Sequence, residues 1–302
     1  MDLTRSSLFR WLLTAIACLV GSGASAQALD ATSQRCLTCH SGMDAAFKST
    51  KHGVRGDPRT PFGSGKGCTA CHGDPTRHLQ SPSNPISVRF GASYEAEPQS
   101  EACLACHKGG KRMNWQGSAH ERTAQTCSNC HNIHAPKDQV TVAATQAGVC
   151  FTCHKDKRAE SMRFSTHPLK TGTMPCSSCH NPHGTAGEYN LLRATVNETC
   201  YTCHADKRGP FLWEHPPARE DCTLCHNPHG SNIQPMLKAR APWLCQQCHS
   251  QQFHPSTQYS GNNIPPFPAG GTTAQQTIAQ GCANCHSKVH GSNHPSGARF
   301  TR

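Results

Sequence analysis

The sequence predicts an elongated chain of mostly irregular coil with short α-helices and little or no β-structure, folded around groups that the polypeptide itself does not supply. Three observations carry this expectation. The pattern Cys-X-X-Cys-His occurs ten times and takes up twenty of the twenty-one cysteines. Leu, Ile, Val and Phe together make only 40 of 302 residues, well under the roughly 20% below which a chain cannot bury enough apolar surface to fold. No stretch alternates apolar and polar residues over the length of a strand.

Two thiols three residues apart, followed at once by an imidazole, is the spacing that attaches a c-type haem: both sulfurs bond covalently to the porphyrin and the histidine ligates its iron. Half a zinc site or a thioredoxin-like pair also begins with Cys-X-X-Cys, but neither needs a histidine after the second cysteine every time. The predicted attachment pairs are Cys36 and Cys39, Cys68 and Cys71, Cys103 and Cys106, Cys127 and Cys130, Cys150 and Cys153, Cys176 and Cys179, Cys200 and Cys203, Cys222 and Cys225, Cys245 and Cys248, and Cys282 and Cys285. The proximal ligands that follow them are His40, His72, His107, His131, His154, His180, His204, His226, His249 and His286. The fold class is therefore a multihaem cytochrome c, with ten covalent haems as its core. Formal charge is +11, which taken alone suggests nucleic acid or a membrane surface. Ten haems bring about −20 from propionates and, if ferric, about +10 from the metal centres, so the basic excess balances the cofactors and no nucleic-acid partner is expected.

Residues 1–26 read as a secretory signal: Arg5 and Arg10 precede an apolar run from Trp11 to Val20, and Ala24-Ser25-Ala26 gives a small-residue cleavage pattern, so the mature chain begins at Gln27. Cys18 falls inside the run, where a lipid anchor is the lesser alternative. Beyond it no apolar run approaches the 18 or so residues of a membrane-spanning helix. Residues 27–302 divide into five two-haem modules, about 36–80, 103–136, 150–185, 200–231 and 245–294. Cys150-Phe151-Thr152-Cys153-His154-Lys155-Asp156-Lys157-Arg158 is nearly repeated from Cys200 to Arg208, and Cys176-Ser177-Ser178-Cys179-His180-Asn181-Pro182-His183-Gly184 from Cys222 to Gly230. The end modules have the longest intervals between motifs, 32 and 37 residues against 22 to 26, and Gly- and Pro-rich loops at 55–67 and 259–271 account for the excess. Short helices are expected at the motifs, since i, i+3 and i+4 put both cysteines and the histidine on one face. Basic pairs such as Lys157-Arg158 and Lys207-Arg208 either meet propionates or form a solvated face.

Eleven histidines lie outside the motifs. Each module has one between its motifs (His52, His120, His167, His215, His254) and one after the second (His78, His134, His183, His229, His290), with His294 left over. Two per module in five modules points to distal ligands, so each iron has two imidazoles and no open position. That favours electron transfer at low potential over chemistry at the metal; the five mature methionines sit at no fixed offset from the motifs and are read as packing. His183 is three residues from His180, at most about 10 Å of chain, so it does not reach round its own haem. Exchange inside a module, His183 to the haem of Cys150 and His167 to that of Cys176, is the simplest arrangement; exchange between neighbouring modules is the alternative.

The ten motifs, the repeated Cys-His-Asn-Pro-His-Gly elements, and Arg59-Thr60-Pro61-Phe62-Gly63 leading to Gly67-Cys68-Thr69-Ala70-Cys71-His72-Gly73 resemble the periplasmic decahaem cytochromes of the MtrA/DmsE family over essentially the whole mature chain. The resemblance implies a wire of bis-histidine haems inserted in an outer-membrane porin-like β-barrel of the MtrB/PioB type. It would carry electrons between periplasm and exterior, in metal reduction or Fe(II) oxidation, with periplasmic or inner-membrane cytochromes and an outer-surface multihaem cytochrome as further partners. It also implies that the N-terminal haems face the periplasm. A soluble periplasmic electron shuttle or store is the alternative of the same class. A multihaem oxyanion reductase is the enzymatic one, but it needs an open haem, commonly marked by Cys-X-X-Cys-Lys, which does not occur.

Overall fold

In the computed structural model the described residues are 29–249, 282–295 and 297–301, so the signal segment 1–26, His254 and the 259–271 loop lie outside them. Twelve short helices occur among the described residues, the longest Ala96–Leu104, linked by coil and single 3-10 turns. Strand pairing is confined there to isolated bridges, among them Ser165 with Ser231 and Trp213 with Ser292. Helices of this length are marginal alone in water. They depend on what they dock against.

The expected motif helices are present at all five first motifs and, as Thr69–His72 and Cys127–Cys130, at two of the second motifs. Ala31–Leu37, Ala143–Cys150 and Val196–Cys200 run into Cys36, Cys150 and Cys200, capped by Asp30 accepting from Ser33 N–H and Thr195 accepting from Glu198 N–H. Cys176–Ser178, Cys222–Leu224 and Cys282–Asn284 are instead 3-10 turns. What survives in both forms is one closed turn. The histidine N–H donates to the first cysteine's carbonyl at 2.9 Å in His40, 3.0 Å in His154 and His180, and 2.8 Å in His131 and His286, which holds the two sulfurs and the ring on one side.

Chain contacts divide the protein into two compact units, Met1–Cys103 with Asn132–Lys137, and Leu104–His131 with Asp138–Arg302. In both, a polar side chain just ahead of a first motif receives a backbone N–H at the second. Ser33 Oγ accepts from Cys68 N–H at 3.1 Å, Gln146 Oε1 from Ser177 N–H at 2.9 Å, and Asn197 Oδ1 from Cys222 N–H at 2.7 Å. These bonds join the motif of Cys36 to that of Cys68, Cys150 to Cys176, and Cys200 to Cys222.

The polypeptide core is almost empty of apolar side chains. Among the described residues Trp115, Ala147 and Leu191 are the buried hydrophobics, whereas Gln99, Ser33 and Ser161 are the largest fully buried side chains. Met113, Phe164, Tyr189 and Leu212 are each more than 65% exposed, so Met113 does not pack as the sequence reading had it. An apolar surface turned outward in this way is what a chain wrapped on large apolar groups leaves behind.

Candidate haem-ligating site

The histidines come together in twos. In the first unit the ring centroids of His40 and His78 are 6.3 Å apart, and those of His72 and His134 are 6.2 Å apart. In the second, His131 and His183 are separated by 6.0 Å and His167 and His204 by 6.3 Å. The pairs His120–His154, His180–His229, His215–His249 and His226–His290 all measure 6.1 Å. A metal ion with an imidazole nitrogen about 2.0 Å away on each side sets centroids roughly 6 Å apart. The spacing fits an iron between each pair. No group of three or more His, Cys, Asp or Glu suited to one metal ion occurs among the described residues.

In each pair but one, the partner of a motif histidine comes from a neighbouring module. His183 lies against His131 and His167 against His204, which overturns the expected exchange of these two inside the module 150–185. A second motif is matched by the trailing histidine of the next module, and a first motif by the inner histidine of the preceding one. The module 36–80, with none before it, closes on itself through His40 and His78. At the C-terminal end His290, not His294, meets His226.

Backbone geometry makes the exchange reciprocal. His120 Nδ1–H donates to the carbonyl of Pro182 at 2.8 Å, and His167 Nδ1–H to that of Pro228 at 2.8 Å, so each Asn-Pro-His-Gly segment supplies one ring and aims another. Asn181, 7% exposed, donates to the Lys111 carbonyl at 2.7 Å and accepts from His183 N–H at 3.3 Å and Nδ1–H at 3.1 Å. The glycine that ends the segment is required: a Cβ on Gly184 (φ +97°) would run into the Asn114 carbonyl, and one on Gly230 (φ +140°) into that of Glu160. Sequence reasoning found the histidines here and missed Asn181, Pro182, Pro228 and the glycines as positioning groups; their repetition was the available signal.

Other rings are held in the same way, with Nδ1–H donated and Nε2 left for a metal. His78, His180, His215, His226 and His286 donate to the carbonyls of Asn84, Tyr189, Val289, Pro235 and Arg299 at 2.6–2.8 Å. His131 differs: its Nδ1–H donates to the Asp138 carboxylate at 2.6 Å. Burial lowers the pKa of His52, His72, His134, His229 and His290, and that of His183 to about 4, with His131 and Arg112 adding repulsion. A neutral imidazole is the form that binds metal. Lys157 pairs with Asp156 and Glu160, both at 3.2 Å, Lys207 with Asp206 at 2.8 Å and Arg208 with Glu198 at 3.1 Å, which favours the solvated-face reading of these basic residues.

The thiols form an ordered series. The hydrogen bond with Cys176, then burial, raises the Cys150 thiol, and the bond with Cys222 raises Cys200. Burial first, then the neighbouring thiol, raises Cys36 beside Cys68 and Cys245 beside Cys282, the latter to about 11. Between modules, burial followed by Cys153 raises Cys130, by Cys200 and Cys203 raises Cys179, and by Cys248 raises Cys225. Thus from Cys127–Cys130 to Cys282 every attachment site adjoins the next in chain order.

Comparison with known proteins agrees with this chemistry. A doubled CXXCH motif family matches residues 167–209 and 215–254, and a family described as cytochrome c-type protein NrfB-like matches 68–146. The doubled-motif frame takes a second motif with the following first motif, and so contains the pairs His167–His204 and His215–His249. The chain is 43% identical over 271 residues to the multiheme cytochrome MtrA of Shewanella baltica (strain OS185), covering 88% of this chain and 80% of that protein. With paired attachment motifs, paired imidazoles and this identity, the chain belongs to the MtrA family of multihaem c-type cytochromes, binds haem covalently and is an electron carrier.

Proposed function

We propose that the protein is a decahaem conduit that moves electrons between the periplasm and the cell exterior inside an outer-membrane porin–cytochrome complex. The observation that carries this reading is the uninterrupted series of adjacent attachment sites from the fourth motif to the tenth. Its paired imidazoles would hold each iron from both faces. The eight pairs above would hold eight of the irons, with His52, His107, His254 and His286 completing the set of twenty, in five two-haem modules at about 36–80, 103–136, 150–185, 200–231 and 245–294. When bound, haem supplies one-electron chemistry; the chain's cysteines would attach it, its paired imidazoles would leave no open position for substrate, and its fold would order the sites. Residues 1–26 export the chain, and a barrel of the MtrB/PioB type is its principal partner, with periplasmic or inner-membrane cytochromes and an outer-surface cytochrome at its ends. No helix among the described residues is long and apolar enough to cross a membrane, so a barrel would supply the passage.

The test is purification from outer membranes, followed by reconstitution of the purified complex in vesicles that enclose a redox dye. Co-purification with a β-barrel protein and dye reduction by an external donor are expected. Release of the whole population with the periplasmic fraction, barrel-free, would instead support a soluble shuttle.

A further inference from the structure

The Asp138 carboxylate is set against a ring already assigned to a haem. His131 Nδ1–H donates to Asp138 Oδ2 at 2.6 Å, and the two side chains are 32% and 19% exposed. Most other rings described above end on a neutral backbone carbonyl, and His183, across the same site, ends on the neutral amide oxygen of Asn181 at 3.1 Å. His229 also faces a carboxylate, that of Glu160, but at 3.6 Å, and Glu160 is itself paired with Lys157.

Asp138 is also fixed. Its carbonyl accepts from Thr141 N–H at 3.0 Å and from the Thr141 hydroxyl at 2.7 Å, closing the turn Gln139–Thr141. That turn is tied to the helix Ala143–Cys150 by Thr145 Oγ1–H donating to the Gln139 carbonyl at 2.7 Å and Gln146 Nε2–H to that of Val140 at 2.9 Å. The carboxylate therefore stands at a set distance from His131, at the start of a turn tied to the helix that carries the next attachment site, Cys150.

We propose that Asp138 lowers the reduction potential of the haem attached through Cys127 and Cys130, acting through His131. A carboxylate that accepts Nδ1–H makes the imidazole a stronger donor and places negative charge beside the site, and both favour the ferric over the ferrous state. Partial burial reduces the screening of the effect by water. The positive charges of Arg112 and Lys111 act on His183 and work in the opposite sense. The proposal rests on the axial-ligand reading and makes Asp138 a positioning and tuning residue for one chosen haem.

The experiment is a potentiometric titration of the purified holoprotein and its Asp138→Asn variant, followed by optical and electron paramagnetic resonance spectra. Asn keeps the shape and an acceptor and removes the charge. The expected result is an unchanged haem content, one midpoint moved upward with the others in place, and an altered g value in one low-spin ferric signal; Asp138→Glu restores the wild-type values. Asp57→Asn, which removes a surface charge paired with Arg59, is expected to move nothing. Should Asp138→Asn lose haem, Asp138→Ser gives the same reading. Identical midpoints and g values in wild type and either variant would overturn the proposal. Failure of the ligand reading is distinguishable, because it would appear as high-spin haem in the wild-type protein.

Discussion

His183 shows how far a single residue is legible. Its tether to His180 is too short to circle the haem of Cys176, and that much followed from chain length. Its partner, His131, is 52 positions away in the sequence and emerges only from the fold, where the rings lie 6.0 Å apart. Counting histidines picked out the candidate ligands; matching them required the path of the chain. Asp138 was not legible, since no other module repeats a carboxylate seven residues after its motif histidine. The pairing has a specific consequence. His183→Met is expected to keep all haems attached, because cysteines and proximal histidine are untouched, and to raise the potential of the haem of Cys127 and Cys130. The histidine–methionine charge-transfer band is the readout, and its appearance on the haem of Cys150 would contradict the pairing. His294→Met is expected to leave the spectrum as it is, since His290 meets His226.

At the scale of elements, the repeated Cys-His-Asn-Pro-His-Gly was legible as chemistry and not as architecture. Its spacing announced a haem and a second histidine. That the same six residues hold the preceding module became clear from the Pro182 and Pro228 carbonyls and the bridge between Ser165 and Ser231. The helix expected at second motifs is present at Cys68 and Cys127 and gives way to 3-10 turns at Cys176, Cys222 and Cys282; at Cys176 Pro175 precedes the motif and leaves no helical run into it. Gly230→Ala tests the docking role. A side chain at this φ costs roughly 1–3 kcal/mol in strain, and the Glu160 carbonyl occupies the space. The holoprotein should melt at lower temperature, and two haems should become partly high-spin together, those served by His229 and by the ring that Pro228 aims, His167. A change at one haem alone would separate the two functions of the segment.

Across the whole molecule, the poverty of apolar residues foretold a core made of something else, and Trp115, Ala147 and Leu191 are the buried hydrophobics found among the described residues. Even at about 1.5–3 kcal/mol each, the value for a fully buried large side chain, these three residues cannot offset a backbone cost of about 1–2 kcal/mol per ordered residue. The division into two compact units was not foreseeable, because residues 132–137 join the first unit only through contacts made in space. Polypeptide produced with its motif cysteines replaced by serine is therefore expected to be largely unfolded by circular dichroism and to melt without cooperativity. A compact, sharply melting apoprotein would mean that the core lies elsewhere.

In the proposed conduit every motif histidine has a second imidazole opposite it, so that the chain offers electrons a continuous path and offers substrate no open iron. Near-infrared magnetic circular dichroism of the ferric holoprotein, scaled to a haemochrome assay and intact mass, measures that directly. Ten haems per chain, all low-spin and bis-histidine, are expected; eight or fewer haems, or any five-coordinate high-spin fraction in the fully matured protein, would contradict it.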